Sequence, residues 1–215
     1  MSIPPIVVAT RNPGKLCEIR AVLAPLVPRI DGLEAFGDLP EPHETGETFA
    51  ENARLKALGY ACATGRWCLA DDSGLEVDAL DGAPGVRSAR YAADRVAACA
   101  ARARIDEANN RRLLEELADV PDERRTARFV CQLALASPQR VLLDARGTIE
   151  GRIAHRPAGD NGFGYDPLFY VPHLGCTTAQ LPPDEKNRIS HRGRAVREFA
   201  RRLRRWSADA DAPQG

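Results

Sequence analysis

The stretch Leu69-Ala70-Asp71-Asp72-Ser73-Gly74-Leu75 places two adjacent carboxylates, a hydroxyl and a glycine between two short apolar runs. An apolar run that ends in Asp-Asp-Ser-Gly predicts a buried strand that reaches a turn at the edge of a sheet. In α/β proteins this edge is the usual place for chemistry. Because side chains alternate along a strand, we expect Asp71 and Asp72 to face opposite ways, with one pointing into a cleft and the other capping the turn.

Three interpretations of this acidic stretch compete. The first is an ordinary turn in which Asp and Ser bond to their own backbone, and for a lone Asp-Asp-Ser-Gly it is favoured. The second is an aspartic protease, but two carboxylates must then share a proton, and no second copy of the motif follows. The third is a site for Mg²⁺, which bridges substrate phosphates and therefore requires phosphate-binding residues elsewhere in the chain.

Composition limits the class of protein. The chain has 215 residues, enough for one large domain or one domain of two lobes, and its 44% hydrophobic and 28% charged residues are typical of a soluble globular protein. The 30 basic residues balance the 30 acidic ones, so nothing predicts sequence-independent binding to nucleic acid. We see no apolar run long enough for a membrane span and no signal peptide, and we expect a cytoplasmic location. The six cysteines have neither zinc nor disulfide spacing.

Lysine is scarce in this sequence. Only three of the 30 basic residues are lysines, namely Lys15, Lys56 and Lys186. A compact ammonium suits a phosphate oxygen in a tight pocket better than a planar guanidinium does. The three lysines are therefore candidate phosphate-binding residues.

The segment after the first strand has the pattern of an anion site. Residues 6–9 are apolar and are followed by Thr10-Arg11-Asn12-Pro13-Gly14-Lys15, after which a helix is expected. The N-terminus of a helix offers free backbone N–H groups and a positive dipole end to a phosphate. The segment is not a Walker A loop, which has a different glycine spacing.

The remaining elements can be read from capping and alternation. Thr48 and Glu51 have capping-box spacing, which predicts a helix to about Thr64 with Asn52 and Lys56 on one face. Further expectations are an irregular loop at 82–91, a helix over 94–117 interrupted near 105, a hairpin of strands at 128–136 and 141–149, a strand at 168–171, a last helix from Ser190 to about Trp206, and a disordered tail at 207–215.

Two later stretches complete the set of candidate site residues. Gly162-Phe163-Gly164-Tyr165-Asp166-Pro167 places an aromatic ring among glycines, which would allow a nucleotide base to stack on it. The stretch from Asp184 to Gly193 supplies Lys186, His191 and Arg192 across the start of a helix, a combination suited to a polyanion or a base.

Taken together, these motifs resemble the inosine triphosphate pyrophosphatase family. The stretches that carry the resemblance lie in the family's order and cover nearly the whole chain: TRNPGK (10–15), ETGETFAENARLKA (44–57), ADDSGL (70–75), GAPGVRSARY (82–91), GFGYDPLF (162–169) and DEKNRISHRG (184–193). Each motif alone is weak, but six in order are specific.

The resemblance implies a fold and an activity. The fold would be an elongated α/β structure of two lobes around a long mixed sheet, a single domain over residues 1–206 with the substrate cleft between the lobes, usually a homodimer. The activity would be hydrolysis of deaminated purine triphosphates (ITP, dITP and XTP) to the monophosphate and pyrophosphate with Mg²⁺, which cleanses the nucleotide pool.

The resemblance also implies roles for single residues. Asp72 would be the general base and a Mg²⁺ ligand, with Glu44 as the companion ligand. Phosphate and nucleotide contacts would come from Thr10, Arg11, Asn12, Pro13, Gly14, Lys15, Lys56 and Ser73. The nucleotide and base pocket would be formed by Phe163, Gly164, Tyr165, Asp166, Lys186, His191 and Arg192.

One segment departs from the family pattern, and two other functions stay open. Residues 92–104 are rich in Ala and Arg, whereas the family has a shorter, more acidic stretch there, which affects local helix boundaries and any nearby dimer contact. A Maf-like pyrophosphatase acting on modified pyrimidine nucleotides is one alternative. A non-catalytic nucleotide-binding module is the other, and it would be expected to lack the acidic pair Glu44 and Asp72.

Overall fold

The protein folds around one mixed sheet of seven strands, as seen in a computed structural model that describes residues 3–97 and 99–211. The strands are β1 (Ile6–Val8), β2 (Ile30–Gly32), β3 (Trp67–Val77), β4 (Thr126–Ala136), β5 (Val141–Ile153), β6 (Phe169–Val171) and β7 (Cys176–Thr177). Their order in the sheet is β2-β1-β3-β4-β5-β6-β7, with β1 parallel to β2 and β3, and β6 antiparallel to β5 and β7. The predicted α/β class is confirmed.

Five helices accompany the sheet. They are α1 (Pro13–Leu23), α2 (Phe49–Thr64), α3 (Arg102–Glu116), α4 (Pro183–Ile189) and α5 (His191–Asp211). Within the described ranges, none of them is both long enough and apolar enough to cross a membrane.

The chain divides into two compact units. Unit 1 consists of residues 1–72, 131–147 and 191–215, and unit 2 of residues 73–130 and 148–190. The strands β3, β4 and β5 each contribute residues to both units.

Unit 1 has helices on both faces of its sheet. Ile6 and Leu69 point into one apolar cluster with residues of α1 and α5, whereas Val7 and Cys68 point into a second cluster with residues of α2. Strands buried on both faces are the expected outcome for parallel pairing, and they explain the continuous apolar runs in the sequence. The carboxyl end of β1 and the first half of β3 are therefore packed by apolar residues on both faces of the sheet.

Unit 2 has a single apolar core. Leu113 of α3 packs in this core with Leu75 of β3 and Phe169 of β6. The rings of Phe129 and Phe169 lie 4.3 Å apart between centroids, which is close enough for a direct aromatic contact. This core fixes α3 against the strands of the unit.

The turn predicted at Asp71–Gly74 is wrong. β3 continues without a break from Trp67 to Val77, so that both carboxylates lie in the middle of a strand. The reason is tertiary: β3 pairs with β1 only over Trp67–Leu69, but its other neighbour in the sheet is the long strand β4. Ladder hydrogen bonds therefore outweigh the local preference of Asp, Ser and Gly for turns.

Other boundaries also differ from the sequence expectation. The helix expected over 94–117 begins only at Arg102, with a single 3₁₀ turn at Ala93–Arg95 before it and no interruption near residue 105. The irregular loop expected at 82–91 contains a 3₁₀ helix, Gly85–Arg90. The last helix extends to Asp211, so residues 207–211, expected to be disordered, are helical, and residues 212–215 lie outside the described ranges. The hairpin of β4 and β5 and the capping box of α2 are confirmed.

Candidate active site

The loop between β1 and α1 is held by its own polar side chains. Asn12 Oδ1 accepts hydrogen bonds from the backbone N–H groups of Gly14 at 2.9 Å and Lys15 at 3.3 Å, and it thereby caps α1. Thr10 Oγ1 accepts a hydrogen bond from the Asn12 N–H at 3.1 Å. Pro13 takes the first helical position, where an N–H group would have no partner. These contacts fix the positive end of the α1 dipole beside the loop.

A cavity opens next to this loop. It has a volume of about 320 Å³ and is lined by Thr10, Arg11 and Asn12 on one side and by residues of the 33–39 segment on the other. The exposed Arg11 donates a hydrogen bond to the Leu39 carbonyl at 2.8 Å. The loop thus has open space beside it on the side where Arg11 lies.

The first lysine–carboxylate pair joins α1 to β3. Lys15 Nζ lies 3.0 Å from Asp71 Oδ1 and 2.8 Å from Asp71 Oδ2. Arg192 of α5 approaches the same carboxylate, with its Nε 3.5 Å from Asp71 Oδ2, and its Nη1 lies 3.2 Å from Glu18 Oε2. Burial alone would raise the pKa of Asp71, but the charges of Lys15 and Arg192 outweigh it and hold that pKa well below its usual range.

The second pair joins α2 to β3. Lys56 Nζ lies 2.9 Å from Asp72 Oδ1 and 3.4 Å from Glu44 Oε1, so one ammonium lies between two carboxylates. Asp71 and Asp72 contact different lysines, and the expected alternation of the two carboxylates along the strand is therefore confirmed.

The charges around Lys56 act on one another. Burial raises the pKa of Asp72, the Lys56 ammonium lowers it again, and Glu44 and Asp71 add to the rise, so the net direction is upward. Burial alone would lower the pKa of Lys56, but the negative charges of Asp72, Asp71 and Glu44 outweigh it and raise that pKa. A carboxylate with a raised pKa is better matched to accepting a proton near neutral pH.

Asn52 lies one helical turn before Lys56 on α2, as the spacing predicts, and it has a structural role that was not predicted. It is fully buried, its Oδ1 accepts the Gly46 N–H at 2.8 Å, and its Nδ2 donates to the Gly46 carbonyl at 3.3 Å. A Cβ at Gly46 would lie 2.6 Å from the Glu51 Cβ and 3.1 Å from the Asn52 backbone nitrogen, which explains the glycine there. The pair fixes the loop that carries Glu44. The sequence feature that could have indicated this role is the four-residue spacing between Asn52 and Lys56, which places both on one face of α2.

The donor set fits a hard divalent cation. Asp72 Oδ2 is buried and has no hydrogen-bond partner among the described residues, and Glu44 contacts the same ammonium as Asp72 does. The described part of the chain contains no group of three or more His, Cys, Asp or Glu side chains that could hold a metal alone. Mg²⁺ is usually bound by one or two carboxylates together with substrate phosphates, so two carboxylates suffice.

The aromatic loop of unit 2 forms a separate group. The Phe163 ring is 47% exposed, and Lys186 Nζ lies 5.2 Å from its centroid. The buried Asp166 accepts the Phe163 N–H at 2.8 Å, and it also forms an ion pair with Lys186. An aromatic face held open beside a cation is suited to stacking on a flat, electron-rich ring.

The remaining predicted residues occupy varied positions. Ser73 is half-buried in β3, directly after Asp72, and His191 is the first residue of α5. Tyr165 is buried, and its hydroxyl donates to the Ser88 carbonyl at 3.0 Å, so its ring supports the loop. Burial raises the pKa of that hydroxyl. Arg192 is only 5% exposed and engages two carboxylates, and its contact with a base stays a prediction.

An α/β sheet that carries paired carboxylates and lysines beside a capped helix N-terminus has the features of a protein that binds phosphates and a divalent cation. The chain belongs to the Ham1 family, whose profile matches residues 6–202.

Curated relatives are similar over almost their whole length. A "dITP/XTP pyrophosphatase" of an Exiguobacterium species is 53% identical over 194 residues, which cover 90% of this chain and 94% of that protein. A "dITP/XTP pyrophosphatase" of Geobacter sulfurreducens is 52% identical over 191 residues, covering 89% and 92%. These names do not favour the Maf-like alternative.

Solved structures agree with the fold. A HAM1 protein from Coxiella burnetii superposes with a TM-score of 0.84 at 41% identity, covering 94% of this chain and all of that one. A nucleoside-triphosphatase (dITP/XTP pyrophosphatase) from Mycobacterium abscessus gives a TM-score of 0.73 at 45% identity, covering 89% and 96%.

Proposed function

We propose that this protein hydrolyses deaminated purine nucleoside triphosphates (ITP, dITP and XTP) to the nucleoside monophosphate and pyrophosphate. The observation that carries the proposal is the Lys56 ammonium lying 2.9 Å from Asp72 and 3.4 Å from Glu44. Such a cluster can bind a cation with the phosphates it bridges, and relatives about 50% identical are named dITP/XTP pyrophosphatases.

In this proposal Asp72 is the general base. Its buried Oδ2, which has no hydrogen-bond partner among the described residues, accepts a proton from the attacking water. The water oxygen forms a bond to the α-phosphorus, and the bond from that phosphorus to the oxygen of the leaving pyrophosphate breaks. Lys15 and Lys56 offset the negative charge that develops on the pyrophosphate.

The proposed metal is Mg²⁺, held by Glu44 and Asp72. When bound, it would act as a Lewis acid that polarises the phosphate oxygens. Lys56 already lies between the two carboxylates, and it would then be free to turn toward a phosphate oxygen.

The proposed nucleoside contacts come from the aromatic loop and the chain around α4 and α5. The exposed Phe163 ring would stack on the purine, and Lys186 would lie beside it. His191 and Arg192 carry donors that match the 6-oxo group of hypoxanthine and xanthine. We further propose that the protein is a homodimer, which light scattering can test against the chain mass of 23.4 kDa.

One experiment tests the reaction. The protein is incubated with Mg²⁺ in H₂¹⁸O and, in turn, with ITP, XTP, GTP, ATP and a modified pyrimidine triphosphate, and the products are weighed by mass spectrometry. We expect ¹⁸O in IMP and XMP and none in pyrophosphate, with little turnover of GTP and ATP. Label in the pyrophosphate contradicts α-attack, and preference for the pyrimidine supports the Maf-like alternative. Tight binding without turnover would indicate the non-catalytic module.

A further inference from the structure

The backbone of Gly164 forms two hydrogen bonds with side chains of α3. The Gly164 N–H donates to Asp106 Oδ2 at 3.0 Å, and the Gly164 carbonyl accepts from Asn110 Nδ2 at 2.9 Å. Asp106 and Asn110 are one helical turn apart, so they share a face of α3. Both the N–H and the carbonyl group of Gly164 are therefore hydrogen-bonded to α3, a helix that has no role in the proposed reaction. We call this pair of hydrogen bonds the clamp.

The clamp selects an unusual backbone conformation. Gly164 has a φ of +62°, in the left-handed region, although a Cβ there would meet no atom within 4 Å. The space around Gly164 is thus open, and the two hydrogen bonds from α3 restrain the conformation of a residue that glycine leaves free to move. The residue before it is Phe163, and the Gly164 N–H that Asp106 accepts belongs to the peptide group that joins the two residues.

The helix that provides the clamp is itself fixed. Leu113 anchors α3 in the core of unit 2, and the buried Asn109 accepts the Ala92 N–H at 2.7 Å and donates to the Ser88 carbonyl at 3.3 Å. The second oxygen of Asp106 lies 3.0 Å from Arg102 Nε in an ion pair, although it accepts no hydrogen bond among the described residues. A helix anchored in this way can impose a position on the loop instead of following it.

Asn110 carries a cost that an apolar residue would not. Its Oδ1 is buried and has no hydrogen-bond partner among the described residues. A buried acceptor without a partner destabilises the folded state. The compensating contact that the structure offers is the bond from Nδ2 to the Gly164 carbonyl.

We propose that Asp106 and Asn110 are positioning residues for the base-binding loop, which act on the substrate through Phe163. This inference rests on the proposed function, in which Phe163 stacks on the purine. Holding the ring in place before binding reduces the ordering that binding requires, so the clamp contributes to substrate affinity and not to the chemical step.

A double-mutant cycle tests the proposal. We compare kcat and KM for ITP in wild type, Asn110→Ala, Phe163→Ala and the double variant. We expect Asn110→Ala to raise KM about three- to tenfold with kcat nearly unchanged, and Phe163→Ala to raise KM on the order of tenfold. The double variant should be no worse than Phe163→Ala alone. Multiplicative effects would overturn the proposal, because Asn110 would then not act through Phe163.

Matched variants separate positioning from folding. Asp106→Asn keeps an acceptor for the Gly164 N–H and should retain a KM near that of wild type, whereas Asp106→Leu should not. Arg111→Ala, on an exposed position of the same helix, should change neither constant. Equal KM values for Asp106→Asn and Asp106→Leu would contradict the clamp.

Hydrogen–deuterium exchange of the Gly164 N–H tests the clamp independently of enzyme activity. We expect the Gly164 N–H to exchange faster with deuterium in Asp106→Leu and Asn110→Ala than in wild type, at an unchanged free energy of global unfolding. An unchanged exchange rate overturns the clamp. A wild-type protein that hydrolyses none of the triphosphates overturns the proposed function instead, so the two failures are distinct.

Discussion

At the residue scale, the first prediction concerns the Asp72 carboxylate. Asp72→Asn keeps the size of the side chain but removes its charge, so we expect kcat for ITP to fall at least about a hundredfold while the fold stays intact. Asp71 already binds Lys15 through both oxygens, so Asp71→Asn should lower kcat less. Steady-state kinetics on both variants decide between them, and an Asp72→Asn enzyme within a few-fold of wild type would exclude Asp72 as the base.

The second residue-scale prediction concerns pH. Burial raises the pKa of Asp72, so the basic form is lost as the pH falls through that raised value, and kcat/KM should fall on the acid side. The Lys56 ammonium lowers the same pKa. Lys56→Gln should therefore move the acid limb of the kcat/KM profile to higher pH, beyond its general loss of activity.

Arg54→Gln is the matched control for this profile. It removes one positive charge from the same helix, but Arg54 pairs with Asp144 and not with Asp72. Its acid limb should coincide with that of wild type. Equal shifts in the two variants would mean that the effect arises from net charge and not from contact with Asp72.

The third residue-scale prediction concerns stability. The pKa of Asp71 is lower in the folded protein than in the unfolded chain, so its stabilising contribution is present above the unfolded value of about 3.9 and is lost as the pH falls toward the folded value. Asp71→Asn leaves two cations without this carboxylate and should lower the free energy of unfolding by about 3 kcal/mol at pH 7. Urea denaturation should give a constant difference from pH 5 to 8 that shrinks below pH 4.

Asp38→Asn serves as the control for the stability measurement. Asp38 is fully exposed and lies 3.6 Å from the exposed Arg11, a type of pair that contributes little. Its denaturation curve should overlay that of wild type. A loss from Asp71→Asn that persisted unchanged at pH 2 would contradict an origin in the carboxylate charge.

At the scale of elements, α2 is expected to govern the response to metal. Asn52→Ala releases Gly46 and with it the loop that carries Glu44, and residues that orient metal ligands commonly account for 10- to 100-fold in affinity. We expect the Mg²⁺ concentration for half-maximal activity to rise about tenfold. Thr48→Ala removes the cap of the same helix and should lower stability without moving that midpoint. Similar midpoints in the two variants would refute a role of Asn52 in metal binding.

Elements with a local cause were predictable from the sequence. The capping box of α2 and the hairpin of β4 and β5 each depend on residues within a few positions of one another. Local side-chain hydrogen bonds and alternation patterns determine such features, so the sequence carries them directly.

Elements with a distant cause were not predictable. The continuation of β3 through Asp71–Gly74 depends on its neighbour β4, because its pairing with β1 ends at Leu69. The Asp71 carboxylate is paired with Lys15, 56 positions earlier in the chain, and the Asp72 carboxylate with Lys56, 16 positions earlier. The Ala-rich segment before Arg102 has helical composition, yet Ala92 donates its N–H to Asn109 instead of starting a helix. In both cases tertiary contacts outweigh propensity.

At the scale of the whole molecule, most of the site residues assigned from the sequence form two groups, one in each unit. Unit 1 contains the carboxylate and lysine pairs around Asp71 and Asp72, and unit 2 contains the aromatic loop with Phe163 and Lys186. Spacing in the sequence could not predict which lysine pairs with which carboxylate, because Lys15, Lys56 and Lys186 lie on different elements from their partners. The sequence could still identify these residues as candidates. The chain uses arginine almost everywhere, so each of its few lysines is conspicuous, and so is a cluster of carboxylates.

The last prediction concerns the proposed selection of the base, and it assigns different parts to Phe163 and Arg192. Hypoxanthine and xanthine carry a 6-oxo acceptor where adenine carries an amino donor, so a pocket lined with donors favours the first two and leaves like-facing donors unpaired against adenine. Phe163 can stack on any purine, so Phe163→Ala should raise KM for ITP and leave the ratio of kcat/KM for ITP and ATP nearly intact. Arg192 has only donors, so Arg192→Ala should narrow that ratio, mostly through lost ITP activity.

Because Arg192 also pairs with Asp71 and Glu18, its variant needs a control for disturbed packing. Glu18→Gln removes one partner of Arg192 and keeps the guanidinium, so it should retain the ITP-to-ATP ratio even where total activity falls. The measurement is kcat/KM for ITP, XTP, GTP and ATP on all three variants. Full discrimination in Arg192→Ala would mean that backbone N–H groups read the 6-oxo position, since a pocket built around such hydrogen bonds can reject a wrong partner by about 10⁴-fold without this side chain.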